Sequence, residues 1–195
     1  VMDLTLRGTS AFDTDVRAAT GEDLHAASLR IFQVNTGLTC NLACRHCHVE
    51  SSPSRPEQMD WTTMQQVLDA AERAGARTLD ITGGAPEMNP QFRRFVEAGQ
   101  ARGLEVMVRT NLTIMLAEGY TDLPEWFAAR RVKLIASLPC YLEVNVDQQR
   151  GRHVYTESIE VIRRLNAVGY GLDSSLGRGL VCNPLGVALP PDQAA

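Results

Sequence analysis

Short apolar runs alternate along this chain with amphipathic stretches that close on a glycine, and no other feature constrains the fold as much. Residues 30–36 read as a first strand. Residues 61–74 read as a helix, with Met64, Val67, Leu68, Ala71 and Ala74 on one face and Gly75 as its stop. A second strand is expected over 77–82, and a helix over 89–102 that carries Phe92, Phe95 and Val96 and ends at Gly103. Residues 104–110 read as a third strand, 123–130 as a short helix and 132–138 as a fourth strand. A helix over 156–168 places Ile159, Ile162 and Leu165 inward and stops at Gly169, before a weaker strand over 176–182. Such alternation implies parallel strands joined by right-handed crossovers. Five units fit an α/β fold of the partial (β/α) barrel kind, and a doubly wound open sheet is the alternative. The 195 residues suit one domain with a sizeable core.

The strands carry a second pattern, because side chains alternate faces with period two. One parity gives Gln33 and Asn35, then Asp80 and Thr82, then Arg109 and Asn111, and ends with Ser137. The other gives Val34, Leu79, Ile81, Val106, Val108 and Leu134. Parallel strands covered on both faces should be apolar throughout. One polar face therefore predicts a cavity lining, at the strand ends where α/β enzymes place their sites. Asp80 and Arg109 are expected to pair inside it. The polar parity could instead supply buried hydrogen bonds that cap strand ends.

Cys40, Cys44 and Cys47 follow the first strand in a Cys-x-x-x-Cys-x-x-Cys loop. Thiolates are soft ligands that select zinc, Cu(I) or iron–sulfur clusters. A cubane cluster has four irons, so three sulfurs leave one iron open to a small molecule. A closed Cys3His zinc site with His46 or His48 is the other reading. Zinc loops usually bring their ligands in two separated pairs, and no second pair follows. Cys140 and Cys182 are isolated, and an odd total of five argues for a reducing compartment. Gly83-Gly84 follows the second strand, where glycine lets a backbone approach a ligand or reach positive φ.

The formal net charge of −4 gives no footprint for nucleic acid. No apolar run reaches the roughly 20 residues a membrane helix needs, and no secretory signal is visible, so the cytoplasm is expected. Ser51 to Pro56 reads as a polar, proline-rich loop. The pairs Arg93-Arg94, Arg130-Arg131 and Arg163-Arg164 read as solvated helix faces.

The cysteine loop resembles the cluster motif of the radical S-adenosylmethionine (SAM) enzymes. The stretches 35–40, 46–50 (His-Cys-His-Val-Glu) and 82–90 (Thr-Gly-Gly-Ala-Pro-Glu-Met-Asn-Pro) resemble the arsenosugar-biosynthesis branch of that family. The resemblance runs from about Phe32 to Gln193. It implies a barrel of the radical SAM type, truncated after about five βα units, with a cysteine-rich C-terminal extension absent here. Residues 1–28 would be a lead-in segment and 29–195 the core domain, and both ends look cut. The implied cofactors are a 4Fe–4S cluster on Cys40, Cys44 and Cys47, and SAM. By the same resemblance, SAM would meet His46, Gly83, Gly84, Ala85, Glu87, Asn111 and Ser137. Two residues, Ala85 and Pro86, separate the glycines from Glu87, where the family has its glutamate directly after them. Cys140, just past the fourth strand, would face substrate as a ligand to trivalent arsenic. The implied activity is 5′-deoxyadenosyl transfer to a methylated trivalent arsenical, with electrons from a flavodoxin or ferredoxin type reductant. The alternatives are hydrogen abstraction from a peptide or small metabolite, and a non-catalytic zinc-binding module.

Overall fold

The computed structural model describes residues 10–23, 25 and 28–183. It shows α1 (Ala11–Thr20), β1 (Ile31–Asn35), α2 (Trp61–Arg73), β2 (Thr78–Thr82), α3 (Phe92–Ala101) and β3 (Glu105–Thr110). These are followed by α4 (Leu123–Ala129), β4 (Lys133–Ser137), α5 (Glu143–Arg150), α6 (Val154–Ala167) and β5 (Arg178–Val181). Short 3-10 turns at Pro86–Met88 and Thr113–Leu116 follow β2 and β3.

All five strands are parallel, in the order β1-β2-β3-β4-β5. A doubly wound sheet reverses its strand order at a switch point, and this sheet does not. Right-handed crossovers that always step the same way put every covering helix on one face. The other face is left as the concave wall of a partial barrel.

The apolar parity builds the core. Leu79, Ile81, Val106, Val108, Leu134 and Ala136 pack against Met64, Leu68, Phe95, Phe127 and Leu165 from the helices. Local chemistry sets the helix ends. Asp60 caps α2 by accepting from the Thr63 amide at 2.8 Å. Gly75 and Gly103 take positive φ just beyond α2 and α3, where L side chains are strained.

Two expectations change, and two helices were not foreseen. The helix foreseen over 89–102 begins only at Phe92, because Asn89 turns back to donate to the carbonyls of Thr36 and Met59. Helix α5 had no visible periodicity in the sequence, and α1 lies in the lead-in segment with no buried residue. The arginines are also not simply solvated. Arg94 stacks on Trp61 at 3.7 Å, Arg93 and Arg130 flank Trp126 at 5.0 and 4.4 Å, and Arg164 donates to the Met115 carbonyl.

Asp80 and Arg109 pair across the inner face as expected. Arg109 Nη2 lies 2.8 Å from Asp80 Oδ2, and its Nε reaches both carboxylate oxygens at 3.0 and 3.1 Å. Gln33 Nε2 adds a third donor group at 2.6 Å. The carboxylate is 2% exposed, so removing it strands a guanidinium and an amide beside the lumen. Asp80→Ala should cost about 3 kcal/mol, at the low end for a broken buried pair because Arg109 reaches the cavity. Chemical denaturation should show the lower midpoint with an unchanged slope.

Candidate cofactor site

The cysteine loop is held from three sides by backbone bonds. The Leu38 amide donates to the Glu57 carbonyl, Cys40 to Ser52, and Arg45 to Gln149 on α5. The chain leaving β2 crosses beneath it, with the Gly84 amide on the Gly37 carbonyl and Ala85 on Thr39, both at 2.9 Å. A Cβ on Gly84 would sit 2.3 Å from the Thr39 carbonyl oxygen, so only glycine admits this crossing.

The three thiols border one cavity of about 340 Å³ at the C-terminal ends of the strands. That volume is in the ordinary range for a small-molecule site. Among the expected residues, His46, Gly83, Gly84, Asn111 and Ser137 line it, with Gln33, Asn35, Thr82 and Arg109 from the polar parity.

Ala85, Glu87 and Cys140 do not line it. Ala85 is held under the cysteine loop by its bond to Thr39. The turn at Pro86–Met88 carries Glu87 into the core instead of toward the glycines. Cys140 packs with Leu138, Val146 and Val154, and its sulfur accepts from the Leu142 amide and Asn145 Nδ2. The expected arsenic ligand is thus a buried thiol in a satellite cluster.

Arg150 is a lining residue the sequence reading missed. It ends the weakly patterned α5, so no periodicity marked it. It is 7% exposed, donates through Nη1 to the Ser137 carbonyl, and leaves its buried Nε unpartnered. His46 titrates below the ordinary histidine range, first through partial burial and then through the Arg150 charge.

The donor set suits a polynuclear cluster. Three soft thiolates border one cavity that is open to a small molecule, which is what an iron–sulfur cluster with one free iron requires. Amide N–H groups are aimed at sulfur: Leu42 and Asn111 at Cys40, at 3.4 and 3.5 Å, and Ser51 at Cys47, at 3.4 Å. Burial raises the Cys40 thiol pKa, opposed by those two donors, and a bound metal deprotonates such a thiol outright.

Residues 34–177 match the radical SAM superfamily, and the chain belongs to that family. It is 30% identical over 132 residues to mycofactocin maturase MftC of Mycobacterium tuberculosis, covering 67% of this chain and 33% of that protein. It is 26% identical over 103 residues to a probable GTP 3′,8-cyclase of Methanopyrus kandleri, covering 53% and 33%. The chain thus spans about one third of the length of these relatives. Its fold resembles that of Streptococcus suis SuiB bound to S-adenosylmethionine, with a TM-score of 0.60 at 16% identity over 81% of this chain and 35% of the other. Methylornithine synthase PylB gives 0.57 at 12% identity, over 90% and 65%. The cofactors of the family, a 4Fe–4S cluster and SAM, are those of this chain.

Glu87 has a consequence for stability. Both carboxylate oxygens lack a hydrogen-bond partner among the described residues. Burial pushes its carboxyl up to about 7, and its own backbone amide and the Thr110 hydroxyl oppose this only weakly, from outside full hydrogen-bond geometry. The folded state then holds a proton that the unfolded chain releases at its ordinary carboxylate pKa. Stability is full below that ordinary value, falls as pH rises toward about 7, and loses roughly 3 kcal/mol in all. Glu87→Gln should flatten the slope over that window in denaturant titrations run at several pH values.

Proposed function

We propose that Cys40, Cys44 and Cys47 hold the 4Fe–4S cluster, that SAM occupies the adjoining cavity at the open iron, and that the 5′-deoxyadenosyl group passes to a methylated trivalent arsenical. The supporting observation is convergence: three thiols, Gly83-Gly84 and the ends of β1, β3 and β4 all border one cavity. When bound, the cluster would supply the electron that breaks the S–C5′ bond of SAM, with methionine leaving, and would take back the one electron that arsenic loses as the As–C5′ bond forms and arsenic passes from the trivalent to the pentavalent state.

The chain's own residues place and shield the reactants. The backbone at Gly83-Gly84 offers carbonyls to the SAM ammonium, and Arg150 beside Ser137 offers a cation to its carboxylate. His46, neutral and planar at the cavity edge, suits stacking on the adenine. The Gln33–Asp80–Arg109 group forms a rigid polar patch deeper in the lumen, on the side left for substrate. A flavodoxin or ferredoxin type protein of the cytoplasm delivers the electron.

The arsenical reading is supported by the stretches around Cys40, His46 and Thr82-Gly83-Gly84-Ala85-Pro86-Glu87. Cys140 takes no part in it, so Cys140→Ser should leave arsenical turnover at the wild-type level. A second reading, hydrogen abstraction from a peptide, is favoured by the likeness to mycofactocin maturase and to SuiB bound to its precursor peptide.

Two measurements test the proposal. Anaerobic reconstitution should load about four iron and four sulfide per chain, and Cys40→Ala, Cys44→Ala or Cys47→Ala should each abolish loading. Stoichiometric zinc without charge-transfer absorption would overturn the cluster assignment. The reconstituted full-length protein, given SAM, a reductant and dimethylarsinous acid, should then form an adenosyl arsenical detectable by mass spectrometry. Free 5′-deoxyadenosine beside unmodified arsenical would favour the peptide reading.

A further inference from the structure

The residue just past β3 is fully engaged by other side chains and backbone of the protein. Asn111 is 6% exposed, and each polar atom of its amide is already engaged. Nδ2 donates one proton to Cys40 Sγ at 3.5 Å and the other to Asn41 Oδ1 at 2.6 Å. Oδ1 accepts from the Ile114 amide at 3.1 Å and from Thr113 Oγ1 at 3.3 Å. Asn41 Nδ2 donates in turn to Thr113 Oγ1 at 2.9 Å. The three side chains form a closed ring in which every donor points the same way round. Such rings polarise their members and strengthen each bond. The outward spoke of this ring is the N–H aimed at the Cys40 sulfur.

The backbone supports the same assignment independently. Leu112, between Asn111 and Thr113, sits at φ 71 and ψ −56, and the Thr113 amide donates to the Asn111 carbonyl at 3.0 Å. This is the rare, strained form of the γ-turn, here imposed on a fully buried leucine. Strain of this kind persists where surrounding structure enforces a side-chain placement. Here the turn lets two residues separated by a single residue both reach the cysteine loop. Within the cysteine loop, Cys40 has two N–H donors, against one at Cys47.

We propose that the Asn111–Asn41–Thr113 ring is a positioning device that holds an amide N–H on the Cys40 sulfur and so raises the reduction potential of the cluster. An N–H donor to a ligating sulfur stabilises the reduced form, which carries one more negative charge. The inference rests on the assignment of the cluster to Cys40, Cys44 and Cys47.

The test is a redox titration of the reconstituted full-length protein without SAM, with the one-electron-reduced cluster read by its electron paramagnetic resonance signal. Asn111→Leu keeps the side-chain volume and removes the donor. It should retain iron and shift the midpoint to a more negative potential, lowering the reduced-to-oxidised ratio at fixed poise about tenfold. Thr113→Val opens the ring but keeps the Asn111 donor, and should give a smaller shift in the same direction. A purely structural brace would lower thermal stability and leave the midpoint in place. A SAM ligand would lose SAM affinity with no change in the SAM-free cluster. Either result, in an iron-loaded Asn111→Leu variant, overturns the inference. If that variant does not load iron, Thr113→Val decides alone, and an unshifted midpoint there overturns it. Failure of the wild-type protein to load iron would instead strike the cluster assignment.

Discussion

The site depends on a contact between two pieces of backbone. The chain leaving β1 turns into the cysteine loop, and the chain leaving β2 passes beneath it at Gly83-Gly84. Two amide-to-carbonyl bonds join them, Gly84 to Gly37 and Ala85 to Thr39. This extends the β1–β2 pairing past the strand ends, through residues that are no longer strand. Remove that closeness and Cys40 loses its place over the lumen. The glycine pair is thus a packing requirement of the loop before it is a ligand surface.

Around that contact the two faces of the sheet divide the work. The outer face carries the apolar side chains that the helices bury, which is the main stabilising term for a domain of this size. The inner face carries polar groups that would be costly to bury alone. Most of them meet one another: Gln33 and Arg109 both donate to Asp80, and Asn111 joins the cysteine loop. Arg150 is different. It lines the cavity, donates to the Ser137 carbonyl, and pairs with no carboxylate among the described residues. An anionic group in a bound ligand would supply what the protein leaves out.

The polar groups also separate those that stabilise the fold from those that serve the site. Glu87 is buried away from the cavity and is most easily accommodated as the neutral acid. Asp80 is buried beside the cavity and stays matched to a cation. The strained turn at Leu112 falls at the site, just past the end of β3. Regular strand geometry would have pointed Asn111 and Thr113 the same way along one face without bringing them to Asn41.

Much of this was legible in the residue pattern. The strand–helix alternation, the polar parity and the Asp80–Arg109 pairing follow from periodicities of 3.6 and 2, which are properties of local backbone geometry. The cysteine spacing followed from ligand chemistry. What failed were the irregular segments. Ala85, Glu87 and Cys140 lie just past strand ends, where the direction of a side chain is set by turns that no period describes. Arg150 arrives at the cavity from a helix whose sequence carries little amphipathic signal, and only its docking beside β4 brings it there. The sequence by itself determined the parallel α/β scaffold, the polar lumen and the soft-ligand loop, because each is encoded in neighbours along the chain. Tertiary structure alone decided which of the nearby polar residues reach the cavity. That choice depends on long-range backbone contacts, such as Gly84 under Thr39 and Asn111 against Cys40, which have no period in the sequence.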